Sequence, residues 1–304
     1  MTNSASVHVC VIGLGSMGLG MAASMVRKGL SVSGTDINRE AIARLGEAGG
    51  KGCPSIAEAA DGADIVLSVV VNAAQTETVL FGDGGAAARM KPGGVIISSA
   101  TMSPADARRL ASMAAERGLL YLDAPVSGGA TGADAGALTV MASGTPQAFA
   151  AARPALDGVA RTVYELGDEA GIGASFKMVN QLLAGVHLAA ACEAMAFAAK
   201  LGLDLPTVYE VITKSAGNSW MFENRMPNVL AGDYASRSAT SIFTKDMGIV
   251  SDMGRKENFP LPAAATALQL FLMTAAAGMN NDGDTSVARM FGKLAGLDLP
   301  EKKG

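Results

Sequence analysis

Three polar side chains lie close together at the start of a long apolar segment in this 304-residue chain. Lys177, Asn180 and Gln181 are spaced i, i+3 and i+4, so a helix would place all three on one face. Burying an unpaired ammonium or amide group is costly, so this face must meet water, a partner or a ligand. The lysine is a candidate for proton exchange with a substrate, and a polar patch at a domain boundary is the other interpretation.

A glycine-rich turn near the N-terminus has the spacing of a dinucleotide-binding motif. It consists of Gly13, Leu14, Gly15, Ser16, Met17 and Gly18, between a predicted strand and a predicted helix. The first glycine permits a tight turn, the second lets the backbone approach a pyrophosphate, and the third allows close packing of helix and strand. The helix N-terminus then favours an anion. The turn therefore predicts a bound dinucleotide, and a turn used only for packing is the alternative.

An acidic residue at the end of the second predicted strand indicates which dinucleotide binds. Asp36 is placed to accept hydrogen bonds from the adenosine ribose hydroxyls, and its carboxylate would repel a 2′-phosphate. We therefore expect NAD. Arg39, three residues further on, could hold a phosphate, and it leaves NADP open as the alternative.

Other acid/base groups used in hydride transfer are poorly represented. The chain has two histidines. His8 lies in the first predicted strand, and His187 falls about 280° round the helix from Lys177. No Tyr-x-x-x-Lys sequence occurs. The short-chain and the His-Asp types of dehydrogenase are therefore disfavoured.

The first half of the chain alternates short apolar runs with amphipathic segments, which is typical of a parallel sheet covered by helices. We predict strands at 7–12, 31–35, 65–71, 95–98, 119–123, 138–142 and 161–164. We predict helices at 16–28, 38–47 and 103–117, and one that opens at Ser55. Asn38, Ser55 and Ser103 are the expected N-caps. The fold class is thus an α/β Rossmann domain with a doubly wound parallel sheet, over residues 1–168.

The composition changes after Gly167, where strand-like runs vanish and alanine, methionine and leucine dominate. We predict helices at 174–201, 206–214, 245–258, 262–276 and 286–294. Residues 169–304 are therefore expected to form an all-α domain, joined to the first by the long helix. This domain has hardly enough charged residues to cover the outer surfaces of its helices. We therefore expect buried subunit contacts in a homodimer or homotetramer.

Bulk properties indicate a small-molecule partner. The formal net charge is −4 and the pI is about 5.3, with Lys and Arg scattered, so neither nucleic acid nor an anionic membrane is expected. The three cysteines form neither a disulfide framework nor a metal-ligand spacing, so we expect a reducing compartment and no metal. The first residues lack a positively charged leader pattern, and we expect a cytoplasmic protein.

The chain resembles the β-hydroxyacid dehydrogenases over nearly its whole length. Four motifs in the family's order carry the resemblance: residues 13–18, residues 123–129 (Asp-Ala-Pro-Val-Ser-Gly-Gly), Gly171-Ile172-Gly173 through Lys177 and Asn180, and Phe243 with Lys245-Asp246. The resemblance implies that Lys177 is the catalytic acid/base and that Asn180 orients the substrate. It also implies cofactor contacts from Val70, Val71, Gln75 and Thr101, with Lys245 reaching toward the cofactor and the active site.

The family resemblance assigns the substrate carboxylate to the loop of Ser127, Gly128 and Gly129. Two successive glycines leave backbone N–H groups unshielded, which suits a carboxylate, and the serine adds a hydroxyl donor. A hairpin or simple turn is the alternative. Gln181 stands where the family often has a second asparagine, so its place in the substrate site is open.

The segment 215–225 bears on substrate identity because Asn218 and Trp220 lie there among hydroxyl, amide and guanidinium groups. It is most similar to family members that oxidise a four-carbon sugar acid such as L-threonate with NAD. Asn218 or Asn224 would then bind the extra hydroxyls, while packing of Trp220 and Phe222 at a domain or subunit interface is the alternative. Other substrates left open are 3-hydroxyisobutyrate and tartronate semialdehyde. Other activities are an imine reductase or an NAD(P)-binding sensor without turnover.

Overall fold

The computed structural model describes residues 7–302. Residues 1–6, where we expect no leader pattern, lie outside the described residues. Contacts divide the chain into two compact units, residues 1–177 and residues 178–304.

The main sheet of the first unit is parallel throughout, as predicted. Its strands are β1 (His8–Ile12), β2 (Ser31–Thr35), β3 (Lys51–Gly52), β4 (Ile65–Ser68), β5 (Val95–Ser98) and β6 (Leu120–Asp123). Within the described residues the six strands are ordered β3-β2-β1-β4-β5-β6. The order reverses between β1 and β4, which is the doubly wound topology, and ligands bind beyond the carboxyl ends of the strands at such a point.

Helices cover both faces of this sheet. They are α1 (Gly18–Arg27), α2 (Arg39–Glu47), α3 (Ile56–Ala59), α4 (Ala73–Phe81), α5 (Pro104–Ala115), α6 (Gly129–Asp134) and α7 (Pro146–Val159), with a short 3-10 turn at Ala86–Ala88. Successive residues of β1 alternate between two cores: Val9 and Val11 pack in one, Cys10 and Ile12 in the other. The predicted N-caps Asn38, Ser55 and Ser103 are confirmed, because each side chain accepts a hydrogen bond from a first-turn N–H.

The late strands predicted in this half form a separate small sheet. It contains β7 (Val126–Ser127), β8 (Leu138–Ala142) and β9 (Ala160–Glu165). β7 pairs antiparallel with β8, and β8 pairs parallel with β9. Ser127, the first residue of the predicted carboxylate loop, is thus the last residue of a strand.

The second unit is helical. Its elements are α8 (Ile172–Lys200), which begins in the first unit, α9 (Leu205–Thr213), α10 (Trp220–Leu230), α11 (Thr240–Lys256), α12 (Pro262–Thr274), continued by a π-helical turn at Ala275–Met279, and α13 (Ser286–Ala295). Two helices, Ile172–Lys200 and Pro262–Met279, are long and apolar enough to cross a membrane by length and composition. Each also packs into the hydrophobic core of this unit, through Leu188 and Phe271 for example. We therefore interpret both as core helices.

Candidate active site

The glycine turn between β1 and α1 has the backbone geometry that a dinucleotide needs. Gly13 has φ +93°, and a Cβ there would lie 2.8 Å from the carbonyl oxygen of Val69. A Cβ on Gly18 would collide with the carbonyl of Gly13. A Cβ on Gly15 would contact nothing within 4 Å, so the open space lies at the glycine expected to face the pyrophosphate. Leu14 is buried in the core, whereas Ser16 is exposed and Met17 precedes the first helical residue.

Asp36 is fixed at the carboxyl end of β2 by backbone donors. Its Oδ2 accepts from the N–H of Leu14 at 2.6 Å, and its Oδ1 accepts from the N–H of Asn38 at 2.8 Å. The side chain is half-buried. The carboxylate therefore lies beside the glycine turn, with lone pairs left to accept from ribose hydroxyls.

The segment after β4 turns away from the sheet at the predicted cofactor residues. β4 ends at Ser68, three residues before the predicted end. The N–H of Val71 donates to Oε1 of Gln75 at 2.9 Å, which holds this loop against α4. Val70 still packs on the core, which is why the apolar pattern outlasts the strand. Thr101 lies half-buried beyond β5. These residues thus follow strand ends at the same edge of the sheet as Gly13 and Asp36.

The structure brings Lys177 to the Ser127 loop. The Lys177 side chain lies in the second turn of α8, the residue is only 7% exposed, and Nζ donates to the carbonyl oxygen of Val126 at 2.8 Å. Ser127 follows Val126 directly in the chain. The next two residues, Gly128 and Gly129, have φ angles of +135° and +66°. Both glycines are in a region that side chains disfavour, so the sequence Gly-Gly is required by this backbone. A buried ammonium group therefore lies next to a strand end with unshielded backbone.

The start of α8 is held by the same stretch of chain. Asp123, at the end of β6, is 1% exposed, and its Oδ2 accepts from the N–H groups of Gly171 at 2.9 Å and Ala174 at 2.8 Å. The Ser143 hydroxyl accepts from the N–H of Gly173 at 2.9 Å. Burial raises the pKa of the Asp123 carboxyl to about 6, and its hydrogen bonds from Ala174, Gly171 and Ser143 oppose that rise.

In the second unit, Asn180 and Gln181 belong to a polar chain that links α8 to α11. Nδ2 of Asn180 donates to Oε1 of Gln181 at 2.9 Å, and Nε2 of Gln181 donates to Oδ2 of Asp246 at 2.5 Å. Nζ of Lys245 lies 2.6 Å from Oδ1 of Asp246. Gln181 and Asp246 are buried. The amide of Gln181 is thus engaged by protein at both ends.

Asn218 and Trp220 lie at the start of α10. Nδ2 of Asn218 donates to the carbonyl of Thr213 and to the Glu223 carboxylate, at 3.2 and 3.3 Å. Its Oδ1 is buried with no hydrogen-bond partner among the described residues. Trp220 is 56% exposed, and the Arg225 guanidinium lies 5.9 Å from its ring centroid. The indole is thus exposed to a ligand or a partner, whereas the amide oxygen is buried and has no partner among the described residues.

Sequence reasoning assigned no role to two buried carboxylates, Asp123 and Asp246. Asp123 belongs to the motif at residues 123–129, and Asp246 to the motif Lys245-Asp246. An aspartate after an apolar strand or beside a lysine occurs in many structural contexts, so its type and position alone indicate no role. One usable signal was present: Gly171-Ile172-Gly173 opens α8 with residues that cannot cap it from their side chains. The N–H groups there needed an acceptor from elsewhere in the chain.

Comparison with known proteins agrees with this geometry. The family model described as the NAD binding domain of 6-phosphogluconate dehydrogenase matches residues 8–167. The model for the NAD-binding region of NADP-dependent 3-hydroxyisobutyrate dehydrogenase matches residues 171–291. L-threonate dehydrogenase from Cupriavidus necator is 50% identical over 98% of this chain and 99% of its own. The chain belongs to the β-hydroxyacid dehydrogenase family.

Two further relatives have the same span. L-threonate dehydrogenase from Escherichia coli strain K12 is 48% identical over the full length of both chains. A crystal structure described as 3-hydroxyisobutyrate dehydrogenase from Salmonella typhimurium is 48% identical, with a TM-score of 0.90, over 94% of this chain and 100% of that one. This β-hydroxyacid dehydrogenase is thus an oxidoreductase that uses a nicotinamide dinucleotide and a small hydroxy acid.

Proposed function

We propose that this chain oxidises a four-carbon sugar acid such as L-threonate at its C2 hydroxyl, with NAD as the acceptor. The observation that carries the proposal is the hydrogen bond from Nζ of Lys177 to the carbonyl of Val126, directly before Ser127. It puts a proton-exchanging group beside backbone suited to a carboxylate. A cofactor sensor without turnover has no use for this pairing.

The proposed chemistry assigns one task to each group. The backbone N–H groups of the 127–129 loop and the Ser127 hydroxyl hold the substrate carboxylate. Nζ of Lys177, unprotonated, accepts the proton of the substrate hydroxyl during oxidation and returns it during reduction. When bound, the nicotinamide ring supplies the hydride acceptor. Asn180, one helical turn beyond Lys177, orients the substrate by hydrogen bonding.

The preference for NAD over NADP rests on Asp36. Its carboxylate is held rigidly beside the glycine turn, where a 2′-phosphate would meet a like charge. The glycine turn, Val70, Val71, Gln75, Thr101 and Lys245 complete the proposed cofactor contacts. Arg39 is exposed nearby, and it keeps NADP as the alternative.

The choice of a sugar acid rests on relatives and on two residues. The two relatives named L-threonate dehydrogenase are 50% and 48% identical over 98% and 100% of this chain, although the crystal structure with 48% identity is described as 3-hydroxyisobutyrate dehydrogenase. L-threonate carries hydroxyl groups besides the one that reacts, whereas 3-hydroxyisobutyrate has only the reacting hydroxyl. We assign the extra hydroxyls to Asn218, because its buried Oδ1 is an acceptor without a hydrogen-bond partner among the described residues. We also assign Trp220, whose ring is exposed, to the substrate, and packing of this ring at an interface is the alternative.

We also propose a homo-oligomer in a reducing, cytoplasmic setting. Val179, Leu183, Ala190 and Phe197 form an exposed apolar stripe along α8, with His187 among them. Such a stripe is typical of a covered interface. The three cysteines are buried and free, which agrees with a reducing compartment.

The test is a comparison of kcat/KM for L-threonate, 3-hydroxyisobutyrate and D-glycerate, with NADH or NADPH formation followed by absorbance. The expected result is at least about tenfold preference for L-threonate, the discrimination that one unpaired buried polar group provides. A clear preference for 3-hydroxyisobutyrate would remove the sugar-acid proposal, and an absence of turnover on every hydroxy acid would remove the enzymatic one.

A further inference from the structure

We propose that Asp123 is a positioning residue for Lys177, which fixes the start of α8 and supplies the negative charge at that helix end. This inference rests on the acid/base role proposed for Lys177. The motif residue Asp123 has no part in binding substrate or cofactor in the function proposed above.

The geometry is specific to the helix that carries the lysine. One carboxylate oxygen accepts from two N–H groups of the first turn of α8, at Gly171 and Ala174. Ala174 precedes Lys177 by three residues, which is about 4.5 Å of helix rise. Four residues after Asp123 along the chain the Ser127 loop begins, and Val126 accepts from Nζ of Lys177. A single short segment therefore holds both the backbone and the side-chain tip of the lysine.

The packing around this contact leaves no room for another arrangement. A Cβ on Gly173 would come within 2.9 Å of the Asp123 carbonyl oxygen and 3.3 Å of its Oδ2. A Cβ on Gly171 would lie 2.7 Å from Nη1 of Arg108. The carbonyl oxygen of Met141 in β8 would lie nearer still to a Cβ on Gly173, so both glycines are explained by close approach of the start of α8 to β6, β8 and α5.

Burial of Asp123 means that its negative charge lowers the stability of the folded protein. The ionisable groups that face it are Arg108 from α5 and the buried Tyr121 hydroxyl from β6, and Ser143 adds a hydroxyl from the loop after β8. Because burial dominates, the pKa of Asp123 rises to about 6, above its ordinary value of about 3.9. The folded protein then binds this proton more tightly than the unfolded chain, so stability falls as pH rises from about 4 to about 6. Above that range the protein carries a buried charge at the expense of stability, which is a pattern found at functional sites.

The negative charge of Asp123 favours the protonated form of Lys177. The positive end of the α8 dipole disfavours a cation in the first turns, and the Asp123 carboxylate offsets it. Removing the charge favours the neutral amine. In the oxidation direction, the pH at half-maximal kcat/KM should then move to a lower value.

The test is Asp123→Asn, which keeps an acceptor for the N–H groups and removes the charge. We expect a lower half-maximal pH for kcat/KM, a reduced kcat and an unchanged Kd for NADH. Above pH 6 we expect a Tm equal to or above that of the unmodified protein, because the buried charge is gone. Asp123→Ser, whose hydroxyl is also an N-cap acceptor, provides the same test if the first variant does not fold.

Two variants separate charge from capping. Thr145→Ala removes the N-cap of α7, and Ser55→Ala removes the N-cap of α3, and neither side chain is hydrogen-bonded to Asp123. Both should lower Tm and leave the half-maximal pH in place. The inference is overturned if Asp123→Asn and Asp123→Ser keep the original half-maximal pH, or if Thr145→Ala shifts it equally. Failure of the Lys177 assignment is distinguishable, since Lys177→Ala would then retain turnover.

Discussion

At the scale of single residues, Asp36 decides the proposed cofactor preference. Asp36→Ser removes the charge while leaving a small hydrogen-bonding side chain. We expect the ratio of kcat/KM for NAD over NADP to fall at least about tenfold, because repulsion of the 2′-phosphate is lost. The measurement is steady-state kinetics with both cofactors at a fixed hydroxy acid concentration.

The matched control for that prediction is Asp61→Ser. Asp61 is an exposed carboxylate of the first unit that precedes β4, away from the carboxyl ends of the strands. Its replacement should leave the ratio within about twofold, because exposed charges more than a Debye length away are screened. An unchanged ratio in Asp36→Ser would exclude the role of this carboxylate.

Gln181 is expected to act on the fold rather than on substrate directly. Gln181→Leu keeps the volume but removes the donor to the buried Asp246 carboxylate and the acceptor for Asn180. We expect the free energy of unfolding to fall by about 1 to 3 kcal/mol. Chemical denaturation measures this, with the exposed Gln147→Leu as a control that should stay within about 0.5 kcal/mol. Equal stability of both variants would exclude the structural role.

The candidate residues could be found from sequence only where a side chain carries the signal. Lys177 and Asn180 were identifiable because they interrupt an apolar helical pattern, and Asp36 because it ends the second predicted strand after the glycine turn. The acceptor for Nζ of Lys177 is a backbone carbonyl, at Val126, and every residue type offers one. Likewise, no pattern could connect Gln181 to Asp246, which lies 65 residues further along the chain.

At the scale of elements, the sequence predicted the bounds of strands best where clear turn residues lie on both sides. β2, β5 and β8 have their predicted bounds because turn-forming residues flank each of these strands. The helices α4, α6 and α10 were missed, although Asn72 caps α4 and Ser219 caps α10. α4 presents no strong apolar face, and α10 contains Pro227, which normally argues against a helix interior.

α7 was also missed, and α11 begins earlier than predicted. Pro154 inside α7 is the misleading feature in the first case. α11 begins at Thr240 and not at the predicted residue 245, because the N–H of Thr240 donates a hydrogen bond to the carbonyl oxygen of Asp282. The predicted domain boundary after residue 168 falls between β9 and α8 and stays a prediction. Contacts divide the chain after Lys177, since Asp123 and Val126 hold the first turns of α8 to the first unit.

At the scale of the whole molecule, the exposed stripe on α8 predicts an oligomer. We expect light scattering at micromolar concentration to give a dimer or tetramer. Leu183→Glu combined with Phe197→Glu should shift the mass toward the monomer, because charges would have to be buried in an apolar contact. A single monomeric species of the unmodified protein would contradict the prediction.

The central claim, that Lys177 moves the proton during hydride transfer, is tested most directly by Lys177→Met, which keeps the length of the side chain and removes the amine. We compare kcat with the Kd for NADH, and use Lys200→Met, exposed in the last turn of the same helix, as the control. We expect kcat to fall by roughly 10² to 10⁴-fold in Lys177→Met, with the Kd within about twofold and the control unaffected. Turnover above about one tenth of the original rate would contradict the account.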